Sequence, residues 1–433
     1  MMPTIHIGID DTDSKSGMCT TYIGALVADR LKRSGVALSD LPFLIRLNPN
    51  WPLKTRGNCA VAIRVEALSS QLPIIKDIVL TTVEEFAELQ CETTNPGVAF
   101  YVGSTIPEKL KHFSKKVIQD IVTIEEAEEV AKEISAEVHK FKMGRGIIGA
   151  LAAIGDLLQE DKTYELIAYR VKDNWGTKRR VDESSVFSMD RRTYPKTFDN
   201  IDLQTGEIRI TPHTPCPILY GIRAESMQVA VEAHGMVKAL ESIERLIVFK
   251  TNQATDEHIL QKEIAQIKPL HSVMVRGTVS EKPRTISGGH VIFTIKDTSG
   301  EIDCAAYEPT RKFRDVIKGL MVGDLLNAFG GAKKKSGLPL TVNLEKIEVL
   351  QLAPVQRKVN PFCPKCGKTL KSEGTNKGFF CKRCKLRYPK QKAKFVLYPR
   401  ALRSGLYEVP PRARRHLAKP SVRDHSWSLP ESP

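Results

Sequence analysis

The sequence predicts a multidomain α+β protein, and three observations predict it. The N-terminal half alternates short apolar strand patterns with amphipathic helix patterns. Residues 271–352 read almost entirely as strands. Four of the nine cysteines are paired as two CxxC knuckles near the C-terminus. A chain of 433 residues has room for roughly three or four domains of ordinary size. A hydrophobic content of 41% supports real cores, and no apolar run approaches a membrane span. The N-terminus lacks the charged-then-apolar pattern of a secretory signal. Nine cysteines do not make a disulfide scaffold in so long a chain, and metal-ligand spacing fits a reducing cytoplasm.

The first strand, residues 4–9, runs into Gly8-Ile9-Asp10-Asp11-Thr12-Asp13-Ser14, then Gly17-Met18-Cys19-Thr20-Thr21. A helix follows over residues 20–33, with Ile23, Leu26, Val27 and Leu31 on one face. Asp10, Asp11 and Asp13 crowd one tight turn, and crowded carboxylates repel unless something cationic sits among them. Hard oxygen ligands suit Mg, which in turn binds substrate phosphates. Ser14, Thr20 and Thr21 offer hydroxyls at the mouth of the helix, where its dipole favours an anion. A turn that merely caps a helix would look similar in isolation.

Strands over 43–47 and 60–65 flank a proline-stiffened loop carrying Lys54, Arg56 and Asn58, whose donors suit a phosphate. Residues 94–103 hold another glycine-containing turn. No Walker, GxGxxG or kinase HRD/DFG motif is present, which excludes those ATP-site designs. Thr123-Ile-Glu-Glu126 is a capping box opening a helix to about Lys140. The small-residue run 144–156 lets a helix pack closely or lets backbone approach a ligand. A strand at 164–170, a turn at 204–206, strands at 208–211 and 245–251, and a helix at 226–239 suggest a ferredoxin-like domain.

Strands at 272–280, 291–296 and 301–307, a helix at 310–317, and two further strands from Gly323-Asp324 onward follow the OB-fold order. Few aromatics stand on its face (Phe293, Tyr307 and Phe329), so base stacking is limited. Cys363, Cys366, Cys381 and Cys384 lie in two knuckles separated by fourteen residues, the spacing of a closed four-thiolate zinc ribbon. A redox CxxC is the lesser alternative. Gly367 and Gly378 stand where the turns need them. Charge is concentrated here: residues 355–433 hold 20 Lys/Arg against 4 Asp/Glu, while the rest is close to neutral. Phosphate contacts dominate nucleic-acid binding, so the ribbon lysines and the basic tail read as an RNA grip. A merely solvating tail is the alternative.

Taken together, the chain resembles the archaeal tRNA(isoleucine) 2-agmatinylcytidine synthetases over nearly its whole length. The motifs that carry this are GIDDTDS..GMCTT at 8–21, RLNPN.P.KTRGN at 46–58, GRGIIGALAAIG at 144–155, PCPILYGIR at 215–223, TNQATDEH at 251–258 and VPPRARRHLAKP at 409–420. No acidic or threonine position departs from the pattern, and Trp51 and Leu53 look like tolerated variation.

The resemblance implies a kinase-like domain (1–142), a ferredoxin-like domain (143–268), an OB-fold (269–354) and a zinc ribbon with basic tail (355–433). It implies an enzyme that uses ATP to phosphorylate the carbon-2 oxygen of the wobble cytidine in a CAU anticodon. Agmatine then displaces the phosphate, ATP ends as AMP and two phosphates, and the tRNA reads AUA. By position in the motif, Thr20 is the autophosphorylated threonine, with Asp10, Asp11 and Asp13 as catalytic acids. Ser14, Thr21, Lys54, Arg56 and Asn58 are expected around ATP. The expected cofactors are ATP, Mg and Zn, and the expected partners are that tRNA and agmatine, without membrane or protein partner. Two rival readings are a non-catalytic OB-fold and ribbon that binds nucleic acid, and a small-molecule ATP-dependent kinase or ligase.

Overall fold

The computed structural model describes residues 3–374, 376–389 and 394–424. The first unit runs β1 (Thr4–Asp10), α1 (Thr20–Arg33), β2 (Phe43–Arg46), β3 (Cys59–Glu66), α2 (Leu72–Phe86), β4 (Gly97–Val102), α3 (Glu108–Gln119), α4 (Ile124–Glu133), β5 (Glu137–Lys140) and α5 (Ile147–Gly155). Strand alternation sorts its two faces. Ile5, Ile7, Ile9, Val61, Ile63 and Val65 point at α1 and α2. Ala60, Ala62 and Ala99 point the other way, and these small side chains let α5 lie close. Every residue of α5 is buried, as expected for a helix apolar all round.

The second unit runs β6 (Thr163–Arg170), α6 (Glu183–Thr193), β7 (Thr197–Phe198), the hairpin β8 (Ile201–Asp202) and β9 (Glu207–Ile208), β10 (Ile218–Ala224), α7 (Met227–Met236) and β11 (Ile243–Thr251). Four of its strands continue the first sheet, giving one nine-stranded sheet in the order β5-β4-β1-β3-β2-β11-β6-β10-β7. The seam is the parallel pair β2–β11, Phe43 opposite Lys250 and Leu44 opposite Thr251. Asn252 extends it: its side-chain oxygen accepts from Arg46 N at 2.7 Å and its amide donates to Arg46 O at 3.1 Å.

The barrel comprises β12 (Ile259–Gln261), β13 (Ser272–Thr285), β14 (Val291–Lys296), β15 (Glu301–Ala306), α8 (Phe313–Lys318), β16 (Leu325–Lys333) and β17 (Thr341–Gln351). The β13–β16 pairing closes it around a core that includes Val275, Phe293 and Ile347. Beyond it, β18 (Gln356–Val359) and a later strand, β22 (Lys394–Leu397), form a two-stranded stalk. The stalk carries the ribbon strands β19 (Lys371–Ser372), β20 (Phe379–Phe380) and β21 (Arg387–Tyr388). After β22 (Lys394–Leu397), the chain returns as β23 (Gly405–Glu408), which pairs with β17. No helix among the described residues is long and apolar enough to cross a membrane.

Two expectations need correction. The helix opened by Thr123 has its reciprocal cap but ends at Glu133 rather than near Lys140. Ser135 turns to φ +56°, and Glu137–Lys140 becomes an edge strand on β4. The C-terminal tail is also not a free basic arm. Residues 409–424 cross the body as a strap whose cations are paired internally. Arg414 pairs with Asp199 and Glu408, Arg415 with Glu345, Lys419 with Asp161, and Arg423 with Asp161 and Glu225. The tail beyond Asp424 lies outside the described residues. The ribbon cations Lys365, Lys368, Lys371, Lys382 and Arg383 are, by contrast, exposed.

Candidate active site

The acidic turn sits where β1 ends, above the N-terminus of α1. Asp11 takes φ +57°, which reverses the chain and splays the three carboxylates. Asp11 N donates to Asp10 Oδ1 at 2.7 Å. Arg145 Nη2 donates to Asp11 Oδ2 at 2.7 Å, and Asn95 N reaches the same oxygen at 3.2 Å. Arg56 Nε donates to Asp13 Oδ2 at 2.9 Å. Thr12 Oγ1 donates to Thr20 Oγ1 at 3.1 Å, so the Thr20 hydroxyl is held at the helix mouth.

Burial sets the electrostatics. It pushes the Asp10 carboxyl far above its ordinary range, and the neighbouring Asp11 and Asp13 charges add to this. Burial lifts Asp11 to about 6 against the pull of Arg145, and lifts Asp13 against the pull of Arg56. Two guanidiniums thus do not offset three carboxylates, and the residues fit a further cation. Among the described residues only the four cysteines bring three or more ligand atoms within 4.8 Å. The triad is therefore no closed cage; it suits Mg, which keeps water and phosphate ligands and needs only one or two carboxylates.

Asp10, Asp11, Asp13, Thr20, Lys54, Arg56 and Asn58 line one cavity. Lys54 Nζ is held by Pro49 O and half-buried. Burial first, then the charges of Arg415 and Lys333, lower it to about 8. Asn58, at φ +47°, donates to Asn48 O at 2.8 Å and closes the loop rather than reaching outward. Two expected residues stand apart. The Ser14 hydroxyl accepts from Ser16 N at 3.0 Å and Gly17 N at 3.2 Å, inside the turn. Thr21 faces an adjoining crevice between the first two units, lined also by Glu165, Asp199 and Arg223.

The same cavity is lined by Trp51, Leu53, Asp120 and Arg145, which sequence reasoning did not place there. Arg145 had a signal, being the one cation inside the glycine-rich run. The glycines of that run have a geometric cause. A β-carbon on Gly149 would lie 1.9 Å from Asp10 Oδ2, and one on Gly146 would lie 2.4 Å from Gly97 N.

In the ribbon, Cys363 and Cys384 sulfurs lie 4.0 Å apart, and Cys366 and Cys381 sulfurs 3.5 Å apart. Tetrahedral zinc with bonds of about 2.3 Å places its sulfurs about 3.8 Å apart, so the donor set fits. Gly367 and Gly378 take φ +69° and +84° at the two turns.

A carboxylate-lined anion cavity fused to an OB-fold and a four-thiolate ribbon defines a multidomain, nucleotide-dependent enzyme acting on RNA. Family models match in order: TiaS TCKD domain over 6–143, TiaS FLD domain over 144–258, OB-fold nucleic acid binding domain over 273–350, and TiaS C-terminal zinc ribbon domain over 360–402. The chain belongs to the TiaS family, the tRNA(isoleucine) 2-agmatinylcytidine synthetases. It is 45% identical to the Methanosarcina mazei member over 99% of both chains. A solved complex of TiaS with its isoleucine tRNA and ATP is 43% identical, with a TM-score of 0.87 and 98% of each chain covered. A solved complex of TiaS with the same tRNA, AMPCPP and agmatine is 41% identical, with a TM-score of 0.84 and the same coverage.

Proposed function

We propose that this chain ligates agmatine to carbon-2 of the wobble cytidine of CAU-anticodon isoleucine tRNA, using ATP, in the cytoplasm. The observation that carries this is the near-full-length match to relatives solved with isoleucine tRNA, with ATP, and with AMPCPP and agmatine. The product reads AUA.

A urea-like carbonyl is a poor electrophile. ATP phosphorylates its oxygen, the agmatine amine adds to carbon-2 and loses a proton, and phosphate leaves. The second phosphoryl group passes to Thr20 and is released by water, so that ATP and one water yield AMP and two phosphates. Phosphoryl transfer asks a protein mainly for positioning and charge neutralisation. Asp10, Asp11 and Asp13 would hold Mg, which neutralises phosphate charge when bound. Thr20, fixed through Thr12, is the phosphate-accepting hydroxyl, and one of the three carboxylates takes its proton. Lys54 faces transferred phosphate, whereas Arg56 acts on Asp13 and keeps it aimed. The target base must leave the anticodon stack to reach carboxylates this deep. Zinc shapes the ribbon, whose exposed lysines meet the tRNA backbone.

The test is incubation with ATP, agmatine and a CAU-anticodon isoleucine tRNA transcript, followed by nucleoside mass spectrometry. A cytidine gaining agmatine less water, only with all three substrates, is the expected result. Retained tRNA binding without an adduct would return the chain to a binding module.

A further inference from the structure

The loop that carries Lys54 is not held by its own unit alone. Asn50, four residues upstream, is 5% exposed and lies at a three-way junction. Its amide donates to Ser272 Oγ at 2.9 Å and His271 O at 3.2 Å, both on the barrel. Its oxygen accepts from Arg415 Nη1 at 2.6 Å, and Arg415 belongs to the C-terminal strap.

The strap end of this contact is fixed as well. Arg415 Nε lies 3.3 Å from Glu345 Oε1, and the other Glu345 oxygen meets His258 Nε2 at 3.1 Å. Burial alone would raise the Glu345 carboxyl, but His258 and Arg415 hold it down at about 2, so it stays charged at neutral pH. The barrel also makes room for the contact: a β-carbon on Gly331 would lie 2.4 Å from Asn50 Oδ1 and 3.0 Å from Arg415 Nη1. Just after Arg415, Ala254 N donates to His416 O at 2.8 Å and Leu417 enters the core of the first unit.

We propose that Arg415 is a positioning residue: through Asn50, the C-terminal strap sets where the Lys54 ammonium stands in the cavity. The loop has no regular secondary structure between β2 and β3, so its geometry is supplied by what it touches. An arginine fork suits this task, because one guanidinium bonds Asn50 and Glu345 at once, which a lysine ammonium on a flexible stem does less rigidly. What Lys54 does for catalysis rests on the function proposed above; where it is held does not.

The experiment uses full-length protein and reads Lys54 directly. Acylation of Lys54 is followed against pH by peptide mass spectrometry in wild type, Arg415→Ala and Asn50→Ala, with the unfolding temperature as a check on folding. Asn50→Ala leaves the Arg415 charge in place and so separates position from charge. The expected result is a midpoint near 8 in wild type, and an upward shift in both variants as Lys54 moves toward water. An unmoved midpoint in both, or a shift in Arg415→Ala only, overturns the inference. KM for ATP, measured in parallel, tests the separate reading: shifted midpoints with unchanged KM would remove Lys54 from phosphate binding and leave its positioning by Arg415 standing.

Discussion

Asp10 and Gly149 are packed so that the carboxylate occupies the space a side chain on the helix would take; a β-carbon there would stand 1.9 Å from Asp10 Oδ2 and 2.8 Å from Leu47 Cδ1. Gly149→Ala therefore displaces Asp10, not the helix, because an alanine suits α5. Misplacing a catalytic group by about an ångström costs on the order of 100-fold. The expected outcome is a loss of that size in adduct formation with a near-native circular dichroism spectrum. Full activity in this variant would remove Asp10 from the reaction.

Asp11 and Arg145 form a half-buried pair that joins the turn to the glycine-rich segment. Asp11→Asn keeps the size of the side chain but not its charge. Adduct formation is expected to fall at least about 100-fold, the scale of removing one preorganised electrostatic group. Binding of tRNA, measured by filter retention, is expected to stay within about twofold, because RNA affinity rests mainly on phosphate contacts.

Glu257, which does not line the cavity, gives a separate pH signature. Burial first, then the Asp156 charge, raises it to about 8, against an ordinary value of 4.5. The folded state thus holds a proton that the unfolded state releases, and its stabilising contribution is complete below 4.5 and lost as pH rises through 8. Thermal unfolding of wild type is expected to fall over that window, and Glu257→Gln, which can still accept from Asn252, is expected to flatten it. Parallel curves for the two proteins would contradict this.

Removing zinc with a chelator should affect the ribbon alone. Its core is Cys363, Leu370, Phe379 and Cys381, with no shared member in the other apolar clusters, and structural zinc supplies folding energy directly. Weaker tRNA binding with an unshifted main unfolding transition is expected. A shift of that transition would mean that the ribbon supports the body.

Much of this is legible locally. Helix 20–33 follows from its apolar face, the acidic turn from three aspartates in four positions, and the ribbon from thiol spacing. The overrun of the helix at 123 arises because Ser135 leaves the helix without a glycine or proline to mark it. Composition misreads the tail because it counts charges, not partners: the acids that bind Arg414, Arg415 and Arg423 lie far back in the chain, at Asp199, Glu345 and Asp161. Arg145 escapes for the same reason, since its partner Asp11 is 134 positions away.

The β2–β11 seam governs how the protein is made. Strand β2 is a buried Phe-Leu-Ile-Arg segment in the middle of the sheet, yet its second neighbour emerges from the ribosome roughly 200 residues later, about 10–40 s at ordinary elongation rates. Throughout that interval β2 is a bare, apolar sheet edge, the kind that recruits stray strands. Residues 1–158 made alone, which keep α5, would keep that edge for good and are expected to aggregate, whereas residues 1–258, which include β11, are expected to remain in solution.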